Sequence, residues 1–207
     1  APMPSRHRSR SLLVFPHQLF AEHPGIAEGP TQIYLIEDSL FFGDNEHPAR
    51  FHKQKLWLHR SSMKHFETRL RKAGHTVTYI EHVPGTSALK LLFEEMIQHT
   101  NEDLLVAEVH DFLLKKRLDR FCSLYSKDIE SLKTPMFIND GATNRGFRDG
   151  KKRWFMADFY KFQRRRLGIL MDGDKPTGGE WSYDEQNRKN CLLYTSPSPR
   201  DRTRSRM

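Results

Sequence analysis

Short apolar runs rich in β-branched and aromatic residues alternate along this chain with segments of helical period, and no other feature narrows the fold as much. The runs are SLLVF (11–15), QIYLIED (32–38), HTVTYIE (75–81) and DLLVAEV (103–109), with a weaker one near 128–132. Each has the length of a strand, and HTVTYIE alternates cleanly. Between them the period changes. A long helix is predicted from about Lys53 to Ala73, closed by Gly74, with Leu56, Met63, Phe66, Leu70 and Ala73 inward. In PGTSALKLLFEEMIQHT, residues Leu89, Leu92, Phe93, Met96 and Ile97 fall at i, i+3, i+4, i+7 and i+8. A third helix is predicted over 111–125, with Leu114, Leu118, Phe121 and Tyr125 inward. A fourth is predicted over 151–168, with Phe155, Phe159 and Phe162 on one side. Such alternation builds an α/β fold: a Rossmann-like doubly wound parallel sheet of about five strands, helices on both faces, right-handed crossovers.

In sheets of this kind ligands bind beyond the C-terminal strand ends, near the switch in strand order. That points to FPHQLF, EDSLFF and EVHDF. The chain has neither G-x-G-x-x-G nor G-x-x-x-x-G-K-[ST], which argues against an ordinary dinucleotide or P-loop site. Pro16 and His17 are expected at the first strand mouth, where His17 and Gln18 either hydrogen-bond a polar ligand or simply turn the chain. Glu37 is expected to accept from a ribose or ribityl hydroxyl, Asp38 to be a solvated strand end, and Phe41 and Phe42 to form a hydrophobic lid over the sheet, the alternative being that they pack on a flat ring. Of eleven histidines none forms H-E-x-x-H, and His59 and His65 are too far apart to share a helical face. Cys122 falls in a helical stripe and reads as core, and no Ser-His-Asp or Cys-His signature is visible.

A net charge of +8 invites a nucleic-acid reading, but its location weakens that reading. Residues 1–10 and 191–207 carry +3 each, which leaves only +2 for the body. Within the body, KKR (151–153) and RRR (164–166) flank an aromatic helix. Arg164, Arg165 and Arg166 could contact a phosphate backbone, although a solvated basic face is the simpler reading. Two cysteines make no disulfide framework, and no apolar run is long enough to span a bilayer, so a cytoplasmic protein without a membrane anchor is expected. The first residue is Ala, which points to a processed or incomplete start.

The patterned chain then gives way. LMDGDKPTGGEWSYDEQNRKN (170–190) has no period, and CLLYTSPSPRDRTRSRM (191–207) is Ser/Pro/Arg-rich. Three stretches carry a family resemblance: LLVFPHQLF, then IYLIEDSLFF with RFHKQKLWLHRSSMKHFETRLRKAGHTVTYI, and KRWFMADFYKFQRRRLGILMDGDKPTGGEWSYDEQNRK. Together they resemble the N-terminal region of prokaryotic photolyase-related proteins, in the cryptochrome/photolyase branch that includes iron–sulfur bacterial (6-4) photolyases. The likeness covers about residues 11–189. It implies an antenna-type α/β domain (11–168) and a linker (169–190) toward a missing helical domain; the arginine-rich residues 1–10 ahead of it are expected to be a basic disordered arm. That domain would hold FAD and a four-iron–four-sulfur cluster, which needs four thiolates, and would bind DNA. Residues 191–207 resemble translated sequencing-adapter DNA; the alternative is a genuine disordered tail. The resemblance further implies an antenna chromophore, in several members a ribityl-lumazine, near Pro16, His17, Gln18, Glu37 and Val109. The family often has Asp where this chain has His17, which puts the antenna's identity in question. The expected whole is a monomeric flavoprotein for blue-light DNA repair or light sensing, this part being inactive alone. A stand-alone nucleotide- or small-ligand-binding module and a basic nucleic-acid-binding protein using 151–166 are the rival expectations.

Overall fold

The computed structural model describes residues 9–97 and 102–182. The arm through residue 8 and everything from 183 onward, including Cys191 and the expected tail, lie outside the described residues. The chain divides into two compact units at Asp140/Gly141.

The first unit is a five-stranded, all-parallel sheet of β1 (Arg10–Val14), β2 (Gln32–Ile36), β3 (Val77–Ile80), β4 (Asp103–Ala107) and β5 (Ile129–Leu132), in spatial order β3-β2-β1-β4-β5. It is an α/β Rossmann-like fold. The physical cause is visible in β1, which is buried on both faces. Leu12 and Val14 point to one side, where they meet Ile33, Leu35 and Leu105 and the residues Met63, Phe66 and Leu70 of α3 (Lys53–Lys72). Leu13 and Phe15 point to the other side, onto α4 (Ala88–Leu91) and α5 (Phe112–Leu124). The two-residue period of a strand thus feeds two cores at once, which is why parallel strands read as continuous apolar runs.

Two short helices complete this unit, α1 (Pro24–Ala27) and α2 (Ser39–Phe42), the latter capped by the Asp38 carboxylate accepting from the Leu40 N–H. α3 ends one residue earlier than its apolar pattern implies: Ala73 is the exposed C-cap rather than an inward residue, and Gly74 takes φ +87° just beyond it. After α4 the helix widens into a π-helical stretch over Leu92–Ile97, and Leu92, Phe93 and Ile97 stay fully buried. α5 buries Leu114, Leu118 and Phe121 as its period requires, together with Arg117 on the same stripe.

The second unit holds α6 (Gly141–Arg148), α7 (Met156–Leu167) and an antiparallel ribbon of β6 (Met171–Asp172) and β7 (Lys175–Pro176). Two expectations are corrected here. The fourth helix begins at Met156, leaving Trp154 and Phe155 exposed ahead of it, and the stretch expected to be irregular from 169 contains the ribbon, turned at Gly173 with φ +57°. α6 has no counterpart in the sequence reading. Its one large apolar residue, Phe147, meets Phe159 and Phe162 of α7 at centroid distances of 5.1 and 5.0 Å. Gly168 closes α7 in the left-handed region, at φ +64°.

Phe93 joins the π-helical stretch to α5, stacked on Phe121 at 5.5 Å. Phe93→Ala should cost about 3–5 kcal/mol, read as a lower urea midpoint. A loss below about 1 kcal/mol would mean that this side chain does not anchor the helix.

Candidate functional site

In this strand order the connection out of β1 runs to one side, to β2, and the connection out of β4 runs to the other, to β5. The crevice beyond the C-terminal ends of β1 and β4 is therefore the place where an open α/β sheet can admit a ligand. Its near wall is the turn Phe15–Gln18, closed by the Gln18 N–H donating to the Phe15 carbonyl at 2.9 Å. The Gln18 side chain is fully buried: its Nε2 donates to the Ala107 carbonyl at the end of β4 (2.7 Å) and its Oε1 accepts from the Phe15 N–H (3.2 Å). Gln18 thus ties the two strands together across the switch point. Pro16 is buried and Val109 is core.

Glu37 corrects the sequence reading most clearly. Its carboxylate is fully buried and accepts from Arg60 Nε (2.8 Å), Arg60 Nη2 (2.6 Å), the Tyr79 hydroxyl and the His82 N–H (2.8 Å). Burial alone would raise its pKa; the Arg60 and Tyr79 hydrogen bonds and the His82 N–H outweigh it and hold the group ionised below the usual range. With four protein donors it has little capacity left for a sugar hydroxyl.

Several buried side-chain atoms among the described residues have no hydrogen-bond partner. Asp38, expected to be solvated, is fully buried, and its Oδ2 has no hydrogen-bond partner. Its pKa is raised, first by burial and further by Asp44 and Asp111, against the Leu40 N–H and Arg117. His17 is largely buried, and neither ring nitrogen finds a partner; its ring stacks on Phe41 at 5.4 Å. Burial lowers its pKa, opposed by Asp111, so it stays neutral at pH 7 and offers one donor and one acceptor. Buried polar atoms without partners are rare in folded proteins, and His23 Nε2 and His82 Nδ1 are in the same state.

Arg117 holds this mouth from below, through Asp44 (2.8 Å), Asp38 (3.4 Å) and the Ser39 hydroxyl (3.0 Å). The signal for it was present in the sequence as an arginine on the apolar stripe of α5. Arg60 and Tyr79 gave no such signal. Phe41 and Phe42 face opposite cores, and His59 lies between them. Among the described residues no group of three His, Cys, Asp or Glu could hold a metal ion. The described cysteine, Cys122, has its thiol pushed up to about 11 by burial. No described helix is long and apolar enough to cross a membrane.

In the second unit the three candidate arginines separate. Arg164 is buried, and its guanidinium donates to the carbonyls of Ile169, Leu170 and Trp181. It builds structure and is turned away from solvent. Arg165 and Arg166 are exposed, Arg165 lying 4.5 Å from the Trp181 ring centroid.

The fold is that of a Rossmann-like α/β protein whose topological switch point lies between β1 and β4. The chain belongs to the deoxyribodipyrimidine photo-lyase-related protein family, whose sequence model matches residues 12–205. That span includes most of the stretch set apart above as a tail. An uncharacterized protein of Acanthamoeba polyphaga mimivirus is 34% identical over 185 residues, covering 86% of this chain and 92% of the viral one. A (6-4) photolyase of Agrobacterium fabrum is 28% identical over 144 residues, covering 67% of this chain and 28% of that enzyme.

Two outcomes follow from this geometry. Arg117→Met would leave Asp38 and Asp44 buried without their cation and should cost about 3–5 kcal/mol; adding Asp38→Asn should recover part of the loss in the double variant. Equal losses in the single and double variants would separate Arg117 from Asp38. Acid should also destabilise the fold. His23 is buried and its pKa is lowered to about 4, so the unfolded chain protonates first as pH falls below the usual histidine value. Stability is present above that value and is lost on the way down; His17, His59 and His82 are shifted the same way, while Asp38 opposes them. Between neutrality and about pH 5 the His23 share is on the order of 2 kcal/mol. Urea midpoints should fall over this range, and fall less in His23→Gln.

Proposed function

We propose that this chain is the antenna-type α/β part of a photolyase/cryptochrome-like flavoprotein that acts in blue-light-driven DNA photoproduct repair or light sensing, in the cytoplasm. The observation that carries the reading is the unsatisfied mouth: His17 and Asp38 Oδ2 beside the Phe41 ring, at the sheet position where a chromophore would sit. The family match and the alignment with a (6-4) photolyase over two thirds of the chain give that mouth its context.

A ribityl-lumazine fits this donor set. Its ring would lie against Phe41, His17 would supply one donor and one acceptor, and Asp38 would accept a hydroxyl or ring N–H. When bound, such a group absorbs light and passes the excitation on. The protein residues only bind, orient and exclude water. Among the described residues Arg117 and Arg60 are engaged by carboxylates, and Asp111 adds negative charge near His17; that disfavours phosphate ligands. FAD, the iron–sulfur cluster and DNA contact belong in this reading to further sequence of the same protein, and this chain alone should not repair a photoproduct.

The viral relative supports a second reading. The chain spans 92% of it, so a chain of similar extent occurs there. On that reading the α/β unit is a stand-alone ligand-binding module without catalysis. Thermal melts with ribityl-lumazine, flavin and ATP separate the two. The antenna reading expects the lumazine to raise Tm, by an amount equivalent to about 2.7 kcal/mol at a hundredfold excess over Kd, and Asp38→Asn with His17→Leu to abolish the shift. A shift with ATP alone would favour the second reading, and none with any of the three would remove the mouth as a binding site.

A further inference from the structure

The net charge of the body hides an opposition between its two units. The described residues of the first unit carry sixteen Lys and Arg against eighteen Asp and Glu. Residues 141–182 carry ten against five. The excess sits around α7, among aromatic side chains that are unusually exposed: Trp154 66%, Phe155 58% and Tyr160 43%. Large exposed aromatics are a recognition feature when they cluster.

Two grooves run along α7. One, of about 800 Å³, is mostly apolar and is lined by Met156, Phe159, Tyr160 and Trp181, with Lys161, Gln163 and Glu180 at its edges. The other, of about 690 Å³, has Phe147 and Phe162 in its lining, with Lys151, Lys161, Arg165 and Arg166 against Asp149 and Asp158. Lys161 lines both. Arg164 fixes the first groove by pinning the Trp181 carbonyl (3.1 Å), and Arg165 and Lys161 lie over the Trp181 ring at 4.5 and 6.0 Å.

We propose that residues 141–182 form a platform for single-stranded nucleic acid, with bases stacking in the aromatic groove and phosphates held in the basic one. Stacking surface next to a cationic track is what unpaired strands require. A duplex keeps its bases stacked on one another and has no use for the aromatic groove. A single nucleotide would fill only part of a surface that follows a helix about 18 Å long. The proposal places nucleic-acid contact in this chain itself and does not depend on the antenna reading.

The test uses the whole chain and a fluorescein-labelled thymidine oligomer of about twelve nucleotides, followed by anisotropy at about 50 mM salt and above. Expected are micromolar affinity, a log–log salt slope near about −3 for four phosphate contacts, and at least about tenfold weaker binding of an abasic strand of the same length. Lys161→Glu with Arg165→Glu should weaken thymidine binding by at least about tenfold, with circular-dichroism melts showing that the variant is folded. If that variant does not fold, the abasic comparison on the unmodified chain decides. Absence of binding, equal affinity for the abasic strand, tighter binding of the matching duplex, indifference to charge reversal in a folded variant, or a preference for anionic phosphatidylserine vesicles would each overturn the proposal.

Discussion

Both faces of β1 are buried, and the first unit is organised by that fact. A strand that is apolar on two sides must have a helix layer on each, so β1 sits centrally and its neighbours come from opposite directions of the chain. The divergence that this requires opens the mouth between β1 and β4. Gln18 bonds to the ends of both strands there, and Arg117 binds Asp38, Asp44 and the Ser39 hydroxyl. His17 and one oxygen of Asp38 are left buried without hydrogen-bond partners close after the ends of β1 and β2. The candidate site is thus a by-product of the packing rule that makes the sheet parallel.

Where the sequence was legible, a period carried the message. β1 to β4 could be read as short apolar runs, of which HTVTYIE alternates, β5 only weakly, and α3 to α5 from helical spacing, since burial on a regular element repeats. The family resemblance rested on motifs along the same elements, and the match over 12–205 agrees with it. α6 was illegible because GATNRGFR contains two glycines and one large apolar residue, so no stripe forms.

The polar residues were harder to read for a different reason. A sequence displays the hydrogen-bonding capacity of Gln18 and Glu37 but not what satisfies it. The partners of Glu37, Arg60 and Tyr79, lie 23 and 42 residues away, on a helix and a strand whose packing is not set until the sheet forms. Asp38 was misjudged in the opposite sense: it stands next to Glu37 in a polar dipeptide, yet it caps a short helix beneath a buried arginine. Net charge misled in a similar way, because a sum over the body cancelled an acidic unit against a basic one.

The clamp made by Arg164 bears on which sequences can replace this one. Three carbonyls from two separate stretches converge on one planar guanidinium, and their directions match a fork of N–H groups. A lysine there would keep the charge but present a single compact ammonium at the end of a flexible stem, unable to reach all three. Among chains that share this small unit, position 164 should therefore vary less than its exposed neighbours Arg165 and Arg166. An exchange of arginine for lysine, ordinarily counted as mild, would be a disruptive one at this position.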